Sequence, residues 1–371
     1  MGVREVFEVI YSPVKAFKRI IEKPDFKGVL LILALVILSM VVVEYVAASK
    51  FFLETRTPDD ENWTESTTFW ASNGNLSLDN VSYEVGNCSV KSFVSGDTSI
   101  WMKIADIEFI DCSEDTGYKE LFFWINWVHE NGSFPNSGAT LRLFSGGESD
   151  FFERSLTDSI SSSGKWGNAT LKIGADQGWD STNSPDWKNV TGLEFRLVWP
   201  APTNLTMNID GLYFRKYVSA LETGAFGGAI IPILISAAVS FSMNWILWAG
   251  ILLMIAKVFR EEVGPWTVFF VIIGYVFIVT AVHTMVGAVS LSTLPALNLP
   301  LADGTYVSFG ETLNPYMAYH VWLYLPLVGE VWIAVLCATA IRVLRETTWG
   351  KAASISLVAF IIRLILRLFG I

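Results

Sequence analysis

The sequence predicts an α-helical integral membrane bundle of about five spans, with an extracytoplasmic all-β domain inserted between the first and second. Three observations carry this. The 371-residue chain is 52% hydrophobic, holds 15 Trp and is only 17% charged, a composition of the membrane class. The apolar residues concentrate in residues 28–48 and again beyond about residue 219, with a block of soluble-domain composition between them. Charge divides the same way: residues 51–217 carry 24 acidic and 12 basic side chains, a net of −12, and the remainder carries a net of +2. An insert this acidic repels phosphate backbones, so nucleic acid is excluded as its partner.

Residues 1–27 read as a cytoplasmic segment. Ser12 suits an N-cap and Pro13 the first helical position. Val14, Phe17, Ile20 and Ile21 then form an apolar stripe, Lys15, Lys18, Arg19 and Lys23 cover the other face, and Pro24 ends the helix. This predicts an amphipathic helix lying on the cytoplasmic leaflet, where the bases meet anionic headgroups. The alternative is that it packs on the cytoplasmic ends of the bundle. Residues 28–50 make the first transmembrane helix, an uncleaved anchor: its apolar run is longer than the h-region of a signal peptide, of about 7–15 residues.

Four further spans are expected near 236–258, 265–289, 319–343 and 351–370. With five spans, Arg4, Lys15, Lys18, Arg19, Lys23 and Lys27, then Lys257 and Arg260, then Arg342, Arg345 and Lys351 all fall on the cytoplasmic side, as the positive-inside rule requires. The C-terminus is then extracytoplasmic. Residues 219–240 are either a sixth span or an outer-side extension, membrane-embedded or interfacial, bent near Pro232. A sixth span would place the bases of 342–351 outside, so charge favours the extension.

Residues 55–217 are thereby placed outside. Independently, all eight Asn-X-Ser/Thr sequons lie there: Asn62, Asn75, Asn80, Asn87, Asn131, Asn168, Asn189 and Asn204. Their confinement to one block predicts N-linked glycans. Cys88 and Cys112 share the block, and an oxidising compartment predicts a disulfide between them, against the alternative of two buried thiols. Cys337 falls in the fourth span. Short runs such as "SVKSFV", "SIWMKIA", "ELFFWINWV", "ATLRLF", "NATLKIG", "TGLEFRLVW" and "LTMNIDGLYF" recur between turn signals and predict a β-sandwich. Trp166, Trp179 and Trp187 cluster in loop-like sequence and are read either as ligand aromatics for sugar rings or as core plugs.

The tail of this block resembles jelly-roll domains of the carbohydrate-binding, galactose-binding-like type. The carrying residues are Trp187-Lys188-Asn189-Val190 and the closing strand Ile209-Asp210-Gly211-Leu212-Tyr213-Phe214, within residues 160–214. The resemblance implies a jelly roll and a glycan ligand. It also implies a structural calcium near Asp210, although a turn role, with the carboxylate accepting backbone N–H groups before Gly211, is the favoured reading.

The membrane part resembles the Yip family of Ypt/Rab-interacting membrane proteins. Ser12-Pro13-Val14-Lys15-Ala16-Phe17 and Lys23-Pro24-Asp25-Phe26 match its N-terminal segment. Arg260-Glu261-Glu262-Val263-Gly264 matches the turn after the second span, and Gly274-Tyr275 a pair in the third. The Asp-Leu-Tyr-Gly-Pro signature of eukaryotic members is absent. The resemblance implies a five-span architecture that organises lipids or other membrane proteins.

Ionisable groups inside spans are functional hypotheses by default. Here they are Glu44, His283, Glu330, Arg363 and Arg367. At 1.5 Å rise per residue, reflecting Glu330 through the turn between the last two spans brings it level with Arg363 and Arg367, which predicts an ion pair across that hairpin. No metal-ligand spacing, phosphate loop or nucleophile elbow is present, so the expectation is a protein that is not an enzyme. The leading reading is a Yip-like membrane protein of the archaeal-type cell envelope, whose jelly roll binds glycans or an envelope glycoprotein. The alternatives are a transporter using Glu330, Arg363 and Arg367, and a trafficking adaptor.

Overall fold

The structure is a computed structural model. It describes residues 3–60, 63–260, 265–302, 305–306 and 309–368, except the side chains of 225, 302, 305, 306, 309, 367 and 368. The chain divides into two compact units, Met1–Leu53 with Val218–Ile371, and Glu54–Tyr217.

The first unit is helical: α1 (Val3–Tyr11), α2 (Pro13–Glu22), α3 (Phe26–Lys50), α4 (Ala225–Val258), α5 (Trp266–Val276), α6 (Ile278–Ser292), α7 (Phe309–Leu313), α8 (Met317–Arg345) and α9 (Trp349–Leu368). Among the described residues five stretches are long and apolar enough to cross a membrane: α3, α4, α5 continued by α6, α8 and α9. Asp25 caps α3 by accepting the Lys27 N–H at 2.9 Å. The third stretch breaks at Phe277, whose N–H reaches back to the Gly274 carbonyl at 3.3 Å. Residues 225–258 form a single 34-residue helix that runs through Pro232, so residues 225–240 extend the second span and do not make a sixth.

The N-terminal segment departs from a free interfacial helix. Ser12 and Pro13 do open α2, without a side-chain cap bond. But Ala16, Phe17 and Ile20 are buried in the bundle core with Val6 and Val9 of α1. The bundle covers Phe17 and Ile20 of the stripe, whereas Val14 stays exposed. Arg19 pairs with the buried Glu8 at 2.6 Å, which ties α2 to α1. Next in the chain, Gly28 meets Tyr275, whose hydroxyl donates to the Asp25 carbonyl at 3.2 Å. Gly274 meets Val29. Small residues thus let α3 and α5 approach closely, which gives the Gly274-Tyr275 pair a packing role.

The second unit is a β-sandwich of β1 (Phe51–Thr57), β2 (Trp70–Ser72), β3 (Asn75–Asp79), β4 (Ser89–Ile104), β5 (Glu120–His129), β6 (Gly138–Ser145), β7 (Phe151–Ser155), β8 (Gly167–Lys172), β9 (Asp180–Thr182) and β10 (Val190–Ser219). Four runs that read as separate strands are the two halves of β4 and of β10. Each of these long strands passes from one layer to the other, β4 near Gly96 (φ 68°) and β10 where its register shifts between Val198 and Leu205. One layer, the front sheet, runs β2, β4 (residues 99–104), β10 (190–198), β6, β7, β9. The back sheet runs β3, β4 (89–97), β10 (203–215), β5, β8.

Alternate residues of the two layers meet in one core. Ile100, Met102, Leu141, Leu143, Leu193 and Leu197 come from the front, and Val90, Leu121, Ile125, Leu205, Met207 and Ile209 from the back. Phe123 and Phe195 join the layers edge to face at 4.9 Å.

The expected disulfide is not formed: Cys88 and Cys112 are separate buried thiols. Cys88 precedes β4 on the back sheet and its Sγ donates to Glu65 at 3.2 Å, whereas the Cys112 N–H donates to the Trp187 carbonyl. Burial pushes the Cys88 thiol up to about 11, helped by Glu65, and the Cys112 thiol to about 12.

Candidate functional site

The front sheet presents a charged and aromatic outer face. Strand register aligns Lys103, Glu194, Arg142, Glu153 and Asp180 in one row across β4, β10, β6, β7 and β9. The next row holds Trp101, Arg196, Thr140 and Ser155. Because inner and outer residues alternate along a strand, the buried leucines fix these side chains outward. Arg142 Nε donates to Glu153 at 2.5 Å, Arg196 Nε to Glu194 at 2.8 Å and Lys103 Nζ to Glu148 at 2.5 Å. Cations also lie over the flanking rings, Arg142 over Phe151 at 4.5 Å and Lys103 over Trp101 at 5.5 Å. Trp101, Phe151, Arg142, Glu153 and Arg196 are all half-buried. Fixed guanidinium and carboxylate groups between two accessible rings can hydrogen-bond vicinal hydroxyls while the rings stack on sugar faces.

The back sheet's outer face differs. Ser77, Lys91, Asn208 and Asn126 form a row there. Asp79 pairs with Lys91 at 3.1 Å, and Asn208 Nδ2 donates to Ser89 at 3.1 Å. All seven sequon asparagines among the described residues are exposed. Asn75, Asn168 and Asn204 stand on back-sheet strands, pointing outward, and Asn168 lies directly opposite Trp124. Asn80 and Asn87 bracket the loop before β4, and Asn131 follows β5. Only Asn189 of the described seven adjoins the front sheet, and it precedes β10. Asn62 lies outside the described residues.

The three tryptophans are not one cluster. Trp187 stacks on Phe152 at 3.6 Å and Trp179 meets Trp187 edge to face at 5.9 Å, closing the sandwich edge. Trp166 donates to Ser82 at 3.2 Å on the back side. Trp101 lies inside "SIWMKIA", which reads simply as a strand, and Phe151 lies in β7, outside the runs named from the sequence. Only their outward parity, fixed by pairing, distinguishes them.

Asp210 does not fit a calcium site. It is fully buried, and its oxygens accept N–H bonds from Glu84 (2.7 Å), Val85 (2.9 Å) and Gly211 (2.8 Å). N–H donors on both oxygens make a carboxylate environment unlike the oxygen cage of calcium. Burial outweighs those bonds and raises its pKa. Gly211, at φ 52°, forms the bulge where β10 shifts register against β5.

Within the helical unit the polar residues converge. A cavity of about 320 Å³ is lined by Ser240 and Asn244 of α4, Phe277 and Thr280 at the α5–α6 break, His283, Glu330 and Arg363. An adjoining cavity of about 290 Å³ is lined by Glu44, His283, Thr284 and Trp322, and the two share Met40, His283 and Pro326. Four of the five predicted groups therefore line one polar region. Glu330 and Arg363 face the same cavity, but among the described residues no ion pair joins these two. The expected partner is Arg363 or Arg367, so this bears on Arg363 alone. The Arg367 side chain lies outside the described residues. Among the described residues Arg363 Nε is buried with no hydrogen-bond partner.

No protein-family model matches the chain, the Yip family's included, and no curated protein matches it. Carbohydrate-binding modules are among the solved structures that resemble part of it. A family 11 module from Clostridium thermocellum, in complex with a β-1,3-1,4-mixed-linked tetrasaccharide, is 12% identical with a TM-score of 0.29, covering 43% of this chain and 94% of that one. A family 30 module of a Clostridium thermocellum cellulosomal cellulase is 12% identical at 0.30, covering 39% and 90%. A xylan-binding domain from Paenibacillus barcinonensis is 11% identical at 0.25, covering 42% and 88%.

Proposed function

We propose that the protein is an integral membrane protein whose five apolar helices hold the β-sandwich outside, and that the sandwich binds glycans on the outer face of its front sheet. The carrying observation is the division of labour between the two faces. The front face combines Trp101 and Phe151 with the fixed Arg142–Glu153 and Arg196–Glu194 pairs, and its strands carry no sequon asparagine among the described residues, Asn189 standing just before β10. The back-sheet strands carry Asn75, Asn168 and Asn204. Glycans attached there would leave the front free for a ligand.

The orientation follows from the bases flanking the helices and from the sequon block. The five-helix plan and the N-terminal segment support a Yip-like architecture, in which the bundle also contacts lipids or membrane proteins. Affinity electrophoresis of the detergent-solubilised full chain through gels containing soluble polysaccharides tests the glycan reading. Retardation by at least one polysaccharide is expected, and W101A or R142A should abolish it. Equal mobility in every gel contradicts it.

A further inference from the structure

We propose that the two adjoining cavities of the helical unit form one binding site for a small zwitterion, its acid group held by Arg363 and its amine by Glu330 and Glu44. The site is independent of the sandwich's ligand. Five elements build it: Met40 of α3, Ser240 and Asn244 of α4, the broken α5–α6 stretch, Glu330 of α8 and Arg363 of α9. Helix irregularities converge there, the break at Phe277 and Pro326 inside α8. Discontinuous helices of this kind line mid-membrane solute sites because they leave backbone polar groups to face a ligand.

The chemistry of the walls selects the ligand. A buried guanidinium N–H without an acceptor calls for an anion, and Arg363 Nε is such a donor. A simple anion would also face Glu330 in the same cavity. A molecule carrying both signs satisfies Arg363 and the carboxylates together, with Glu44 at the second cavity and His283 as the wall common to both. Asn244, Ser240 and Thr280 add neutral donors and acceptors. A volume of about 320 Å³ equals that of about ten liquid waters, which fits an amino acid or a phosphoethanolamine group. Ser240 is exposed, so the cavity reaches the surface of the bundle.

The test uses the full chain in lipid nanodiscs. Saturation binding is read for the protein amino acids and O-phosphoethanolamine, with acetate, methyl phosphate and ethanolamine as single-charge controls. At least one zwitterion should bind, at least tenfold more tightly than the controls. R363Q, E330Q and E44Q should each weaken it tenfold or more, and V335A on the opposite face of α8 should not. If R363Q does not yield monodisperse protein, N244A is read in its place, with a weakening expected. A second arm asks whether a zwitterionic lipid headgroup is the source: native mass spectrometry should then show a retained phospholipid that R363Q loses. No soluble zwitterion bound and no lipid retained, or binding unchanged in the charge variants, overturns the proposal.

Discussion

Gly329 faces the His283 imidazole so closely that a Cβ on it would stand 2.6 Å from Nδ1. The ring also lies 3.0 Å from the Val279 carbonyl through that nitrogen. The glycine is what seats His283 between α6 and α8. Gly329→Val should therefore expel the ring and cost about 1–3 kcal/mol, as overpacking does. Thermal unfolding of the detergent-solubilised protein checks this. An unchanged midpoint would mean the imidazole has another seat.

The contact between Gly28 and Tyr275 predicts a coupled pair. A Cβ at residue 28 would lie 1.9 Å from the tyrosine hydroxyl. Gly28→Ala should destabilise the bundle, and it should cost clearly less in a Tyr275→Ala background. Additive costs in a double-mutant cycle would show that the two residues do not press on each other.

Asp79 predicts an acid-sensitive increment. Burial raises its pKa, but the Ser82 and Val81 N–H groups and Lys91 outweigh it and hold the carboxyl at about 2, against an ordinary 3.8. A depressed carboxyl stabilises the folded state fully above its unfolded value and loses that contribution as pH falls through its folded one. Unfolding followed from pH 5 downward should show a loss between 3.8 and about 2 that Asp79→Asn lacks. The variant should also be less stable at neutral pH.

The separate thiols predict a labelling pattern. Buried and held protonated, Cys88 and Cys112 should resist iodoacetamide in the folded protein. In denaturant without reductant, both should alkylate completely. A 2 Da deficit with no labelling at these positions would restore the disulfide.

Much of this was legible because apolar length and alternation are local signals. Residues 28–50 and the later spans stand out by length alone, and "ELFFWINWV" by its alternation. What was missed depends on partners distant in sequence. The halves of β4 and β10 read as four strands because Gly96 and the Pro200–Thr203 region look like turns, whereas the chain bends there without leaving the ladder. The disulfide was inferred from compartment and cysteine number, neither of which fixes where the thiols stand. α2 was amphipathic as read, yet its periodicity could not say that Val6 and Val9 would help cover the stripe. Depth arithmetic brought Glu330 level with Arg363, and the two do share a cavity. Which of Arg363 and Arg367 would meet it depends on side-chain direction, which is not in that arithmetic. The front-face site was missed for the same reason: Trp101, Arg142 and Glu153 become neighbours only through register.

The central claim, that the front face binds glycans, is tested most directly on a glycan array probed with the full-length, glycosylated protein in nanodiscs. The account predicts saturable binding to at least one glycan class. W101A and R142A should weaken it at least tenfold, about 1.4 kcal/mol, and Val128→Ala on the back face should leave it unchanged. Binding to no glycan, or binding that follows the back-face variant instead, would contradict it.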